Sequence, residues 1–375
     1  MRFLKVAIVH FQPLEKYPPV MNLLIYLQQV TTIRIRIYST KDKYYKKKLF
    51  GLKGANIYRI GSFYKTQSFI LRYINYSVFN FFTFFRLLIT KPSSIICYET
   101  LSIFPVYLYK KLFPATKIFI HYHEYAALNE ISKSSLYIKW LNNLEKRIFS
   151  KASWISHTNE ERLSMFKHDY KQMPFPNLEV LPNYPPSSWY NFKKRSKNKF
   201  EKPLKFVYVG ALSLDSMYTK EFAAWIKELN GHATWDIYSG NYQENVLQYL
   251  EELNCPFINF KGEVEYFDLV KILNLYDVGV ILYNGYIPNH IYSVPNKLFE
   301  YHACNLDVWF SQDIKGSLPY VTKGTYPKII AIDFSALHAV DLSKAIEREG
   351  YSFHQGSFYY EDVLRSIKNK LLEID

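Results

Sequence analysis

Cysteine is scarce: the 375 residues hold three, Cys97, Cys255 and Cys304, far apart, odd in number and without a CxxC pair. That excludes a disulfide framework and a thiolate zinc site. The opening Met-Arg-Phe-Leu-Lys-Val-Ala-Ile-Val-His has too short an apolar run before Gln12 and Pro13 for a signal peptide, so a reducing, cytoplasmic location is expected. No stretch matches the roughly 20 predominantly apolar residues of a membrane span. The nearest, 69–89, is broken by Arg72, Asn75, Asn80 and Arg86. It reads as a long core helix, or as a helix with one face in the lipid interface, where Phe and Tyr are favoured. Heptads, low-complexity tracts and collagen-like repeats are absent as well, which removes the fibrous classes.

What the chain does contain is apolar bulk: 49% hydrophobic residues against 21% charged ones, enough for large cores. At about 150 residues per domain the length implies two. The net charge of +14 is unevenly placed. Residues 1–203 carry 33 Lys and Arg against 11 Asp and Glu, whereas residues 204–375 carry 14 against 22. The first half is expected to meet something anionic: nucleic acid, a membrane surface or a substrate. Nucleic acid is set aside, because no helix-turn-helix, zinc-finger or ribonucleoprotein signature is present.

Short apolar runs alternate with helix-like stretches. Strands are expected at 5–9, 33–38, 94–98, 117–121 and 153–157, then at 205–209, 234–238, 257–260, 278–282, 308–311 and 328–332. Strands buried on both faces and separated by helices imply α/β architecture, two Rossmann-like doubly wound parallel-sheet domains in series. The prolines of Leu181-Pro-Asn-Tyr-Pro-Pro and the run Lys193-Lys-Arg-Ser-Lys-Asn-Lys mark an exposed linker. The expected boundaries are 1–184, a basic linker 185–203, 204–350, and a terminal segment 351–375 whose helix packs on either domain or crosses back to the first.

Ligands of open parallel sheets sit beyond the carboxyl ends of the strands. There the second half offers Gly210, where backbone can approach a ligand, and Lys220, which can meet phosphate. The most informative stretch is Ser293-Val-Pro-Asn-Lys-Leu-Phe-Glu-Tyr-His-Ala-Cys-Asn-Leu-Asp-Val. Pro295 suits a first helical turn whose free amides favour phosphate, Lys297 adds a full charge, and Glu300 can accept from two vicinal hydroxyls, as on a ribose. In the first half, His121 and His123 end a strand on one face with Glu124 on the other. Without a third ligand they read as a general base or a hydroxyl-binding pair rather than a zinc site.

The stretch from Pro295 resembles the donor-site signature of GT-B glycosyltransferases, especially family 4 (glycosyl transferases group 1). Tyr208-Val-Gly210, Phe260-Lys-Gly-Glu-Val264, Tyr276-Asp-Val-Gly-Val280, His121-Tyr-His-Glu-Tyr125 and Leu181-Pro-Asn183 fall in the expected order. The resemblance implies a nucleotide-sugar donor, UDP- or GDP-linked, held by the second domain. It implies a glycan or lipid-linked acceptor on the first, and transfer in the cleft between them without a metal or other cofactor. Carried over by position, Gly210 and Lys220 would face the diphosphate. Val264 would meet the base, Asn296 and Lys297 the phosphate oxygens, and Glu300 the ribose. Ser293 would complete this donor set, with His123 and Glu124 as the catalytic pair. The absence of any Asp-x-Asp motif agrees with helix amides and lysines stabilising the leaving diphosphate.

Two departures stand out. Retaining members often carry a glutamate eight positions before the second one, where this chain has Tyr292, and the glycine-rich first turn is replaced by His10-Phe-Gln-Pro-Leu-Glu15. The basic half fits a peripheral position on the inner face of the cytoplasmic membrane. Lys43, Lys46, Lys47 and Lys48, interleaved with Tyr44, Tyr45 and Phe50, form the expected patch toward an anionic surface or its lipid-linked acceptor. The resulting expectation is a glycosyltransferase of cell-surface polysaccharide synthesis. The alternatives are a nucleotide-sugar epimerase or hydrolase of the same fold, a non-catalytic scaffold, and a basic nucleic-acid-binding protein.

Overall fold

The computed structural model describes residues 3–42, 56–63, 68–175, 177–191, 203–354 and 358–373. Lys43, Lys46, Lys47 and Lys48, and most of the expected linker, lie outside the described residues. The chain divides into two compact units, Met1–Pro182 with Tyr360–Asp375, and Asn183–Tyr359.

In the first unit the strands are β1 (Leu4–His10), β2 (Ile33–Lys41), β3 (Asn56–Ser62), β4 (Ser94–Tyr98), β5 (Lys117–Tyr122), β6 (Trp154–His157) and β7 (Leu178–Val180). They form one parallel sheet in the order β3-β2-β1-β4-β5-β6-β7. Between them run α1 (Pro18–Gln28), α2 (Phe69–Thr90), α3 (Ile103–Leu112), α4 (Leu128–Lys133), α5 (Leu136–Phe149) and α6 (Glu160–Asp169). The central strands are continuous buried runs such as Ser-Ile-Ile-Cys-Tyr of β4, as two helical layers demand. Serine and asparagine caps start the helices: the Leu71 N–H donates to Ser68 Oγ at 3.4 Å, and the Arg162 N–H donates to Asn159 Oδ1 at 2.8 Å.

The second unit repeats the plan with β8 (Leu204–Val209), α7 (Thr219–Glu228), β9 (Ala233–Tyr238), α8 (Glu244–Leu253), β10 (Ile258–Gly262), α9 (Leu269–Leu273), β11 (Val278–Ile281), α10 (Pro288–Ile291), α11 (Asn296–Ala303) and β12 (Asp307–Ser311). A two-residue ladder joins β13 (Thr325–Tyr326) to β15 (Ser352–Phe353), on either side of β14 (Ile329–Ile332) and α12 (Leu342–Ile346). The main sheet is parallel in the order β10-β9-β8-β11-β12-β14. In both sheets the strand order reverses beside the first strand, between β1 and β4 and between β8 and β11. Those two reversals are where a doubly wound sheet opens for a ligand.

Several elements differ from the sequence reading. The polar Asn-Ile-Tyr-Arg-Ile-Gly-Ser of β3 is an edge strand with no fully buried residue, so it lacks the apolar run expected of a strand. The helix α3 begins Ile-Phe-Pro, where the proline tolerated in a first turn masks the helical pattern. Ser187–Asn191 forms a 3-10 turn that buries Trp189 and Tyr190, so this part of the expected linker is packed. The last helix, α13 (Tyr360–Leu372), belongs to the first unit. There Lys370 pairs with Glu179 at 2.8 Å and the Lys117 ammonium donates to the Glu373 carbonyl at 2.7 Å. Among the described residues no helix is long and apolar enough to cross a membrane.

Candidate functional site

The second unit collects the residues after its strands at the carboxyl edge of the sheet. Because α11 connects β11 to a parallel β12, it runs back along the sheet and starts at that edge. Pro295 precedes it in extended conformation, leaving the amides of Asn296 and Lys297 without intrahelical acceptors. Glu300 is buried, and its carboxylate is paired with the half-buried Lys297 ammonium one turn earlier. Of the expected donor set, the fold brings these two into direct contact and places Asn296 on the same turn.

Tyr301 ties this turn to Gly210: its hydroxyl accepts the N–H of Val209, the last residue of β8, at 2.9 Å. The same ring lies flat against β11, where a Cβ on Gly279 would fall 2.2 Å from it. Gly279 is therefore small because Tyr301 occupies its side-chain space. A Gly279→Ala variant is expected to displace Tyr301 and cost about 2–3 kcal/mol, read as a lower thermal midpoint. An unchanged midpoint would show that the ring yields without penalty.

The remaining donor candidates lie around this edge with different surroundings. Gly210 adopts φ +147 at the end of β8, and its N–H donates to the Tyr238 carbonyl at 3.0 Å. Ser293 is buried with its hydroxyl donating to the His290 carbonyl at 2.9 Å, so it shapes the turn before α11. Val264 is half-buried just after β10. Lys220 is exposed on the first turn of α7, and among the described residues its ammonium makes no ion pair. Tyr292 caps α10, and its carbonyl abuts Gly316, where a Cβ would come within 2.7 Å.

Two tethers here carried no sequence signal. The Asp313 carboxylate accepts from Tyr218 Oη at 2.8 Å and from Ser311 Oγ at 3.1 Å, linking the residue before α7 to the end of β12. Glu263 lies against Gly240, where a Cβ would come within 2.5 Å of the carboxyl carbon, so the turns after β9 and β10 touch.

In the first unit the reversal between β1 and β4 is lined by rings. His123 is buried and stacks on Tyr98 with centroids 5.1 Å apart. The His121 and His10 rings lie edge-on to it at 4.7 Å and 6.4 Å, and the Tyr17 ring is tilted against it at 5.7 Å. The two strand-end histidines share one face, as the alternation requires, and Glu124 is exposed. His121 Nδ1 is hydrogen-bonded to Ser156 Oγ at 2.8 Å. Burial and the neighbouring His123 hold the His121 imidazole well below its ordinary pKa, and the same causes bring His10 down to about 3. These rings are neutral at physiological pH.

Glu99 is the residue that the sequence reading missed. It follows β4 in a left-handed conformation, φ +61, unusual for a residue with a Cβ. Its carboxylate accepts the N–H of His123 at 2.6 Å and, more weakly, that of Glu124 at 3.4 Å. Arg162 clamps the turn from the other side by donating to the His123 carbonyl and to Thr158 Oγ1. The residue keeps some surface but its carboxyl group is enclosed; burial, then the nearby Glu124, pushes its pKa up to about 8. Only the strained conformation and a contact across 24 positions reveal it. Among the described residues no group of three or more His, Cys, Asp or Glu could hold a metal ion.

No protein-family model matches the chain, and no curated protein matches it in sequence. Solved structures do match over its whole length. The lipopolysaccharide outer core galactosyltransferase WaaB aligns at TM-score 0.63 and 14% identity, covering 98% of this chain and all of its own. Anabaena HepE, solved with UDP and glucose, aligns at 0.64 and 11%, covering 98% and 99%. The UDP-GlcNAc 2-epimerase of Neisseria meningitidis, solved with UDP-GlcNAc, aligns at 0.61 and 12%, covering 99% and 100%. Identities this low establish the fold: two parallel-sheet α/β domains of the GT-B type.

Proposed function

We propose that this chain is a glycosyltransferase of the family 4 type, moving a sugar from a UDP- or GDP-sugar to a glycan or lipid-linked acceptor in cell-surface polysaccharide synthesis. The observation that carries the reading is the pair of buried Glu300 with half-buried Lys297 at the start of α11, beside the reversal of the second sheet. Glu300 presents a carboxylate to the ribose hydroxyls. Lys297 and the first-turn amides of Asn296 and Lys297 face the diphosphate, with Gly210, Lys220, Ser293 and Val264 completing the donor site.

The leaving group in such a transfer is a nucleoside diphosphate, whose developing charge needs fixed positive partners. A helix start plus an ammonium supplies them, so the reaction is proposed to need no metal or other cofactor. His123 and Glu124 of the first unit are assigned to the sugar and the acceptor hydroxyl, and Lys43, Lys46, Lys47 and Lys48 to an anionic membrane face. Tyr292 in place of an earlier carboxylate leaves Glu300 as the donor acid of this stretch.

Glu300→Gln is expected to weaken nucleoside-diphosphate binding about tenfold to a hundredfold, the worth of one or two hydrogen bonds to a charged group. Calorimetry with UDP and with GDP reads it. An unchanged Kd for whichever of the two binds would remove Glu300 from the site. A second reading, epimerase or hydrolase, is favoured by the near-equal likeness to the UDP-GlcNAc 2-epimerase. Donor turnover in the absence of any acceptor, giving altered or free sugar, would select it.

A further inference from the structure

We propose that the outer face of α2 is a docking surface for an anionic lipid bilayer, lying in the interface with its phenylalanines inserted. The helix is 22 residues long, about 33 Å at 1.5 Å per residue, and buries only one side: Phe79, Thr83 and Leu87 are sealed in the core. The opposite side is apolar and exposed. Ile70 is 70% exposed, Phe81 59%, Phe82 54% and Ile89 74%, with Ile74 and Phe85 between them. These positions fall on one arc of the helix at three- and four-residue spacing. Phe81 and Phe85 touch each other, ring centroids 4.6 Å apart.

The charges around this face select the occupant. Among the described residues between 56 and 113 there are six Lys and Arg (Arg59, Arg72, Arg86, Lys91, Lys110 and Lys111) and a single acid, Glu99. Glu99 is occupied with the turn after β5. Within α2 the only ions are Arg72 and Arg86, both exposed on one flank of the apolar arc, and Lys91 follows at the helix end. An arc of Phe and Ile edged only by cations suits acyl chains below anionic headgroups, with the arginines reaching up to phosphate. The adjoining α3 and α5 expose Leu112 and Leu136 and carry Lys111 and Arg147. This inference extends the membrane-facing part of the proposed function to a described surface, yet it rests on that surface alone and holds whatever reaction the chain performs.

The test is flotation of the full chain with phosphatidylglycerol-containing and pure phosphatidylcholine vesicles, at low and high salt. The wild type is expected to float with the anionic vesicles and less so at high salt. The Phe81→Ser/Phe82→Ser/Phe85→Ser variant is expected to partition about tenfold or more weakly, with an unchanged circular dichroism spectrum because the replaced rings are exposed. A second readout needs no loss of binding. Phe82→Cys carrying an environment-sensitive dye is expected to brighten and shift to the blue on adding anionic vesicles. Equal flotation of wild type and triple variant, or a dye that does not respond, would overturn the proposal. So would a wild type that is dimeric in sedimentation equilibrium and made monomeric by the triple substitution without ever binding vesicles, since the occupant would then be a second copy.

Discussion

A His157→Phe variant is expected to match the parent protein in stability near pH 7 and to exceed it increasingly as the solution is acidified. The His157 ring is fully buried, stacked on Tyr122 with centroids 5.0 Å apart, and among the described residues neither ring nitrogen meets a hydrogen-bond partner. Burial, helped by the charge of Arg162, brings its pKa from 6.5 to about 3. Unfolded, the imidazole takes up a proton below pH 6.5; folded, it does so only near pH 3. Stability is therefore intact above pH 6.5 and is lost as the pH falls from 6.5 to 3, by on the order of 4 kcal/mol for this one ring.

His10 adds a loss over the same window. Two carboxyls work in the opposite sense. Burial pushes Glu99 up to about 8 and Glu145, which accepts from Tyr122 Oη at 2.7 Å, up to about 7. Folded, they stay protonated where the unfolded chain has already ionised them, so they remove stability as the pH rises from about 4.5 to 8. These opposing contributions cancel between about pH 4.5 and 6.5, so the first unit should be most stable across that window and weaken on either side of it. Thermal midpoints measured from pH 4 to 9 read the profile. If the parent and the Phe variant lose stability in parallel below pH 6.5, the buried ring is not the acid-sensitive element.

His123→Ala is expected to cut turnover by roughly a hundredfold or more while leaving nucleotide affinity unchanged. The split follows from position. His123 stands at the carboxyl edge of the first sheet among Tyr17, Tyr98 and His121, whereas the proposed nucleotide cradle is built from α11 and β8 of the second. Glu99→Ala should reproduce part of the loss, because it frees the amide that fixes His123, and Glu99→Gln should restore it, because an amide oxygen still accepts that N–H. Turnover with an acceptor and calorimetry with UDP or GDP separate the two quantities. A His123→Ala enzyme of full activity would make the ring cluster a piece of core.

The strands that were legible in the sequence are those buried on both faces, such as Val278–Ile281 and Ser94–Tyr98, where a run of apolar residues is itself the signal. The start of α11 was legible too, because a proline before a helix acts within one turn, whereas the pairing of Lys297 with Glu300 emerged only in the structure. Edge strand β3 and the four ring contacts of His123 were not, since no local pattern marks them.

Local spacing thus determined the alternating α/β order, the strand-end position of His121 and His123, and the helix start after Pro295, all of which depend on neighbours a few residues apart. Tertiary structure alone decided three things. Glu99 holds a backbone turn 24 residues away, Tyr301 fills the space beside Gly279, and one side of α2 is exposed. Each of these depends on which surfaces the folded chain brings together, and a helix rich in phenylalanine reads the same whether its second face is packed or bare.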